Sequence, residues 1–278
     1  MLIKMQVGEQ DRGELQVNVT DSDNAPIRDA RVTISEPETA INPNSPIERL
    51  ETDVSGQTQI VDLNTPPLEY SLNENNENMP YANYNIQIEA PGYETENISN
   101  VEILPDSLSL QDVRMRRREG EQVENIDIDP LYAEYPEKIP EDEIKDVNEP
   151  GEIVLSRVVI PEYVVVHNGT PSSNARDYYV TYKDYIKNVA SSEIYATWPR
   201  ATIEANVLAI MSFTLNRVYT EWYRNKGYDF TITSSTAYDQ KWIYGRNIFQ
   251  SIDEVVDEIF DQYLSRPDVR QPILTQYC

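Results

Sequence analysis

Between Pro199 and Trp222 the residues Ile203, Val207, Ile210, Met211, Thr214, Leu215, Val218 and Trp222 recur at intervals of three and four. That is the period of a helix with a broad buried face, and it forces this half of the chain to supply a packed core. Pro199 suits the helix start, where its missing N–H has no partner to lose. Just ahead stands Ser191-Ser192-Glu193-Ile194-Tyr195-Ala196-Thr197-Trp198-Pro199, a lone carboxylate followed by a short aromatic connector and a Trp-Pro pair. Glu193 is therefore expected on a connector held by packing rather than on a free loop.

The first half reads differently. Leu15, Val17 and Val19 alternate with polar residues, a turn follows over Asp21 to Pro26, and Val32 and Ile34 resume the pattern. The same alternation returns at Thr58 to Leu63 after the turn Asp53-Val-Ser-Gly56, at Tyr84 to Ile88, and at Val101 to Leu104. Short strands of period two with turns between them predict a small all-β sandwich over residues 1–118. Residues 119–150 are rich in Glu, Asp and Pro without apolar period, which predicts an acidic, Pro-rich linker touching a neighbour through Ile128, Leu131, Tyr132 and Tyr135. An α+β domain is expected over 151–278. Strands at Ile153 to Val159 and Tyr163 to Val166 open it, with a turn at His167-Asn168-Gly169-Thr170. A helix over Tyr182 to Ala190 and the long helix follow, the latter stopping near Gly227. Phe230 to Ser234 reads as a strand. A last helix starts at Ser251, with Glu254 three residues on as a capping box.

Length allows two domains, and the composition closes off several functions. A net charge of −25 repels nucleic-acid phosphates and anionic membrane alike. One Cys, Cys278, and one His, His167, form neither an intrachain disulfide nor a zinc site of those ligands, so no metal or cofactor is expected. His167, alone at a strand end, reads as structural. The N-terminal residues lack the apolar core of a classical signal peptide, and no apolar run of about 18 residues spans a membrane. The Asn-x-Ser/Thr triplets at Asn18, Asn97 and Asn168 arise often by chance.

Glu193 to Pro199, its spacing to the helix, and Ser235-Thr236-Ala237-Tyr238-Asp239-Gln240-Lys241-Trp242-Ile243-Tyr244-Gly245 resemble the SpoIID/LytB family of peptidoglycan-acting proteins. Tyr163 to Thr170 and Tyr182 to Glu193 look most like the spore cortex-lytic enzymes of the SleC group. The resemblance covers about the C-terminal half and implies a SpoIID-like α+β domain, apparently truncated at its C-terminus. The first half resembles carboxypeptidase regulatory-like domains through Pro26 to Val32, Thr52 to Gly56 and Pro91 to Tyr93. Its expected use is as a spacer, pro-domain or docking module, with a protease activating the chain by cutting the linker. Location at the spore cortex or cell wall follows from the same resemblance.

A lytic transglycosylase manages with one acid: it protonates the glycosidic oxygen, then helps the sugar's own 6-hydroxyl attack the anomeric carbon. A hydrolase normally adds a second carboxylate. The resemblance makes Glu193 the catalytic acid and base, with Ile194, Tyr195 and Trp198 placed to desolvate it. The alternative is a surface or helix-capping glutamate. Asp239, Gln240 and Tyr244 are expected to line the cleft and orient sugar hydroxyls, with Asp239 in reserve as a second carboxylate and Trp242 exposed to stack on a sugar ring. An ordinary loop with a half-buried Tyr is the other reading. Many relatives carry Arg where Met211 stands, and Arg217 faces elsewhere. The rival function is a non-catalytic modifier that grips glycan strands and stimulates a separate amidase.

Overall fold

The computed structural model describes residues 10–37, 46–118, 123–131, 136–139 and 155–276. The architecture is mostly β-sheet, in three sheets with few helices. Tyr132, Tyr135 and Cys278, named above, lie outside the described residues. No helix among the described residues is long and apolar enough to cross a membrane.

The chain forms two compact units. The first holds residues 1–132 together with Tyr195–Trp198 and Tyr244–Ser251; the second holds the remainder. In the first unit one sheet joins β1 (Asp11–Asp21), β4 (Val61–Thr65), β7 (Leu108–Met115) and the two-residue β12 (Ile248–Phe249), in the order β12-β7-β1-β4. The other joins β2 (Arg31–Ser35), β3 (Pro46–Glu51), β5 (Ala82–Glu89), β6 (Thr95–Ile103) and β8 (Val123–Asp127), in the order β3-β2-β5-β6-β8. A helical turn, α1 (Glu69–Leu72), follows β4.

Alternation produces this arrangement directly. Leu15, Val17 and Val19 of β1, Val32 and Ile34 of β2, and Ile86 and Ile88 of β5 are buried, while the residues between them face outward. Each such side chain contributes about 1.5–3 kcal/mol on burial. The sheets approach closely enough for a β-sandwich. The Tyr84 hydroxyl donates to the Asn64 carbonyl at 2.7 Å, and a Cβ added to Gly13 would lie 2.2 Å from the Leu104 carbonyl oxygen. The turn read at Asp53 to Gly56 is present: Asp53 Oδ1 accepts the N–H groups of Ser55 and Gln57, and Gly56 takes φ 76°.

Two features depart from the sequence reading here. Residues 123–127, expected in a linker, form β8 and pair in parallel with β6, and Ile128 and Leu131 are buried. An edge strand with polar residues on both faces carries no apolar period to betray it. β3 escapes for the same reason, since only Leu50 of its six residues is buried.

The second unit has a small sheet of β9 (Tyr163–His167), β10 (Asp177–Thr181) and β11 (Ile232–Thr233), in the order β10-β9-β11. Residues 155–159 form no strand, against expectation. Helix α2 (Tyr182–Glu193) starts at Thr181, whose hydroxyl accepts the Asp184 N–H at 3.3 Å, and runs on to include Glu193 as its last residue. Helix α3 (Arg200–Tyr219) is capped by Pro199 and buried around its whole girth from Ile210 to Arg217. Its polar members are satisfied in place: Ser212 and Thr214 donate to the carbonyls of Leu208 and Ile210. It ends earlier than the spacing predicts, and Trp222 lies beyond it. Gly227, with φ 83°, closes a separate short 3₁₀ turn over Arg224–Lys226. The last helix, α4 (Gln250–Ile259), begins one residue before the predicted start.

Candidate functional site

The centre of the second unit is a buried polar network built on α3 and the loop after β11. Arg217 and Asp239 have no exposed side-chain surface, and Arg217 Nε donates to Asp239 Oδ1 at 2.8 Å. The other carboxylate oxygen, Oδ2, accepts from the Tyr223 hydroxyl at 2.6 Å and from the N–H and hydroxyl of Thr233 at 2.9 and 2.6 Å. A carboxylate with this many donors repays its desolvation only through them. The Tyr223 hydroxyl is driven well above its ordinary pKa, first by burial and then by the Asp239 charge, so it stays protonated and donates.

Gln240 is fixed in the same wall. Its Oε1 accepts from the Tyr185 hydroxyl at 3.1 Å and lies 2.8 Å from the Thr214 hydroxyl oxygen, whose one proton is shared with the Ile210 carbonyl, and its Nε2 donates to that same carbonyl at 3.1 Å. Burial, followed by the charges of Asp239 and Glu193, raises Tyr185 well above the ordinary phenol range. The neighbouring backbone is anchored by Asn188: its Nδ2 donates to the Ile243 carbonyl at 2.8 Å, and its Oδ1 accepts the Ile243 N–H at 2.9 Å.

Glu193 is brought to this loop, but as an acceptor: its Oε1 takes the Lys241 backbone N–H at 2.7 Å. Trp242, expected to be exposed, is buried, with its ring 5.2 Å from that of Tyr178. Asp239 and Gln240, expected along a cleft, are each 1% exposed and face the interior. Tyr244 belongs to the first unit, where it lies beside Arg116. Thus the structure joins Glu193 with the 239–242 loop and turns the side chains of Asp239, Gln240 and Trp242 inward.

His167 lies at the end of β9, between Asp177 and Ser173. It is buried and stacked on Phe230 at 4.6 Å, with Nδ1 at 2.6 Å from Asp177 Oδ1 and Nε2 at 3.2 Å from Ser173 Oγ. Trp198 is also committed, donating through Nε1 to the Ser71 carbonyl at 3.0 Å within the first unit. Sequence reasoning missed Arg217 as the organising residue. Its signal was visible: a charge inside an apolar helical run must meet an opposite charge.

No family model matches the chain, and no curated protein matches it. Among solved structures it is similar to the catechol 1,2-dioxygenase of Acinetobacter radioresistens, with 14% identity and a TM-score of 0.26 over 42% of this chain and 58% of that one. It is similar to GBS52, the minor pilin of Streptococcus agalactiae, with 17% identity and a TM-score of 0.28 over 41% and 48% of the two chains. The Bacillus anthracis TIE protein follows with 12% identity and a TM-score of 0.24 over 38% and 17%. The chain spans less than two thirds of the length of each. Likenesses of this size carry no argument about what the chain does.

These findings correct the family reading. The resemblance to SpoIID/LytB proteins and the SleC group, the SpoIID-like α+β domain and the carboxypeptidase regulatory-like assignment have no match behind them, and the solved structures reported above are of other kinds. Lytic transglycosylase activity, expected from that resemblance alone, is withdrawn with it. The geometry supplies a physical reason, because the reserve carboxylate is neutralised inside the core and the intended acid accepts a backbone N–H.

Proposed function

We propose that the chain is a non-catalytic binding protein of the cell wall, which holds peptidoglycan glycan strands and modifies their processing by a separate amidase. The observation that carries this reading is the commitment of Glu193 and Asp239 to internal hydrogen bonds. A general acid must be within reach of the proton's destination, and here one carboxylate is paired inside the core while the other accepts a backbone N–H. With a net charge of −25 opposing the carboxylates of the stem peptides, recognition would run chiefly through the strand's neutral hydroxyl and acetamido groups. The spore cortex or cell wall is the corresponding location.

Co-sedimentation with purified sacculi, followed by mass spectrometry of the soluble fraction, tests the proposal. Expected are retention of the protein in the pellet and no new glycan ends. Failure to sediment sinks the binding reading, and anhydro or reducing ends that vanish in Glu193→Gln sink its non-catalytic part.

A further inference from the structure

The outer face of the five-stranded sheet in the first unit carries an ordered polar row. The register aligns Arg49 with Thr33, Thr33 with Gln87, Gln87 with Asn97, and Asn97 with Asn125, so one residue from each of the five strands stands in a single line across the sheet. Three amides in this line are joined head to tail. Gln87 Nε2 donates to Asn97 Oδ1 at 3.0 Å, and Asn97 Nδ2 donates to Asn125 Oδ1 at 3.1 Å. These bonds leave each amide with further donor or acceptor capacity directed outward.

In a chain with 48 acidic residues, this line contains no carboxylate. Charge sits beside it instead: in the next row Arg31 stands opposite both Glu51 and Glu89 and lies 3.8 Å from the Glu89 carboxylate. The face is also concave. A recess of about 580 Å³ is lined by Thr33, Arg49, Gln87 and Asn97 of this line together with Arg31 and Glu89 of the next.

We propose that this face is the site that takes the glycan strand, running across the β-strands along the line from Arg49 to Asn125. The inference rests on the glycan-binding function proposed above and supplies its site. Neighbouring strands lie about 4.8 Å apart, so the line extends about 19 Å. Its period is close to the distance between successive rings of a β-1,4-linked saccharide. Hydroxyl and acetamido groups both donate and accept, and a bridged amide row meets them with both functions at fixed positions. Arg49 forms no ion pair with a described residue and stands at the end of the line, where the carboxylate of a lactyl ether or stem peptide would meet it. A protein partner would want a large apolar side chain at the centre of the face. Thr33, Gln87 and Asn97 stand there instead.

Calorimetric titration of the full chain with the hexamer of N-acetylglucosamine, and then with peptide-stripped glycan strands, tests the site. In the double variant Gln87→Ala/Asn97→Ala, affinity should fall by about tenfold or more. A thermal melt must show that the variant folds as the parent does. The control, Tyr163→Ala/Tyr179→Ala, removes exposed aromatics of the second unit and should stay within about twofold. If the parent binds and the amide variant binds equally well, the face is not the site, while glycan binding itself stands. If the parent binds neither probe nor sacculi, the functional reading fails and the site with it.

Discussion

Arg217–Asp239 in the second unit and Arg246–Glu102 in the first are the same kind of pair, an arginine and a carboxylate without exposed side-chain surface. They are supported differently. Asp239 receives four donors from Arg217, Tyr223 and Thr233, and Arg217 lies over the rings of Phe213 and Trp222 at 4.8 and 4.6 Å. Glu102 contacts Arg246 Nη2 through Oε2 at 2.6 Å and takes the Leu131 N–H on Oε1 at 2.6 Å. The first pair closes over 22 residues; beside the second, Asn247 donates to the Glu102 carbonyl across 145. A buried charge is tolerated in proportion to the hydrogen bonds that replace its water, so the denser cluster should be the harder one to lose.

The largest effect is expected from Asp239→Ala, which strands Arg217 and the Tyr223 and Thr233 donors. It should cost about 4–5 kcal/mol in urea unfolding. Glu102→Ala should cost about 3 kcal/mol, and the double variant Glu102→Met/Arg246→Met less than either single change. An equal loss at positions 102 and 239 would break the comparison.

Glu96 sharpens it, being a buried carboxylate without an arginine of its own inside the core. It stands opposite Glu124 in the β6–β8 ladder, and its Oε1 is buried without a hydrogen bond among the described residues. Burial first, then the Glu124 charge, with Glu94 adding and Arg116 opposing, pushes its pKa up to about 7. The folded chain therefore holds a proton that the unfolded chain releases near its ordinary value of 4.5. Below that pH the contribution is complete; it is lost as pH rises through about 7. Glu96→Gln should remove this dependence and raise stability at pH 8 by about 2 kcal/mol, as measured by unfolding at pH 5 and 8. The smallest change belongs to Glu193→Gln, whose amide oxygen still accepts the Lys241 N–H: less than about 1 kcal/mol. A larger loss would give the Glu193 charge a structural role beyond that bond.

These contrasts also explain what the sequence made legible. Strands such as β1 and β5 declare themselves because Leu15, Val17, Ile86 and Ile88 fall on one side. β8 does not, because pairing rather than a buried face holds Val123–Asp127 in place. The core of the second unit was readable from the spacing of α3, but the destination of Asp239 was not. Polar loop residues look alike until a partner is known, and the partner, Arg217, lies 22 positions back inside a helix. The amide row was equally hidden, since it is assembled only by the register of five strands drawn from Thr33 to Asn125.

The edge of the first sheet has a consequence for synthesis. β7 is bordered by Ile248 and Phe249, which pair with Leu110 and Ser109. On a ribosome these residues emerge about 130 residues after β7, roughly ten seconds later at ordinary elongation rates. During that interval the edge of β7 carries unpaired backbone groups, so nascent chains should be open to strand exchange or chaperone capture until the border strand arrives.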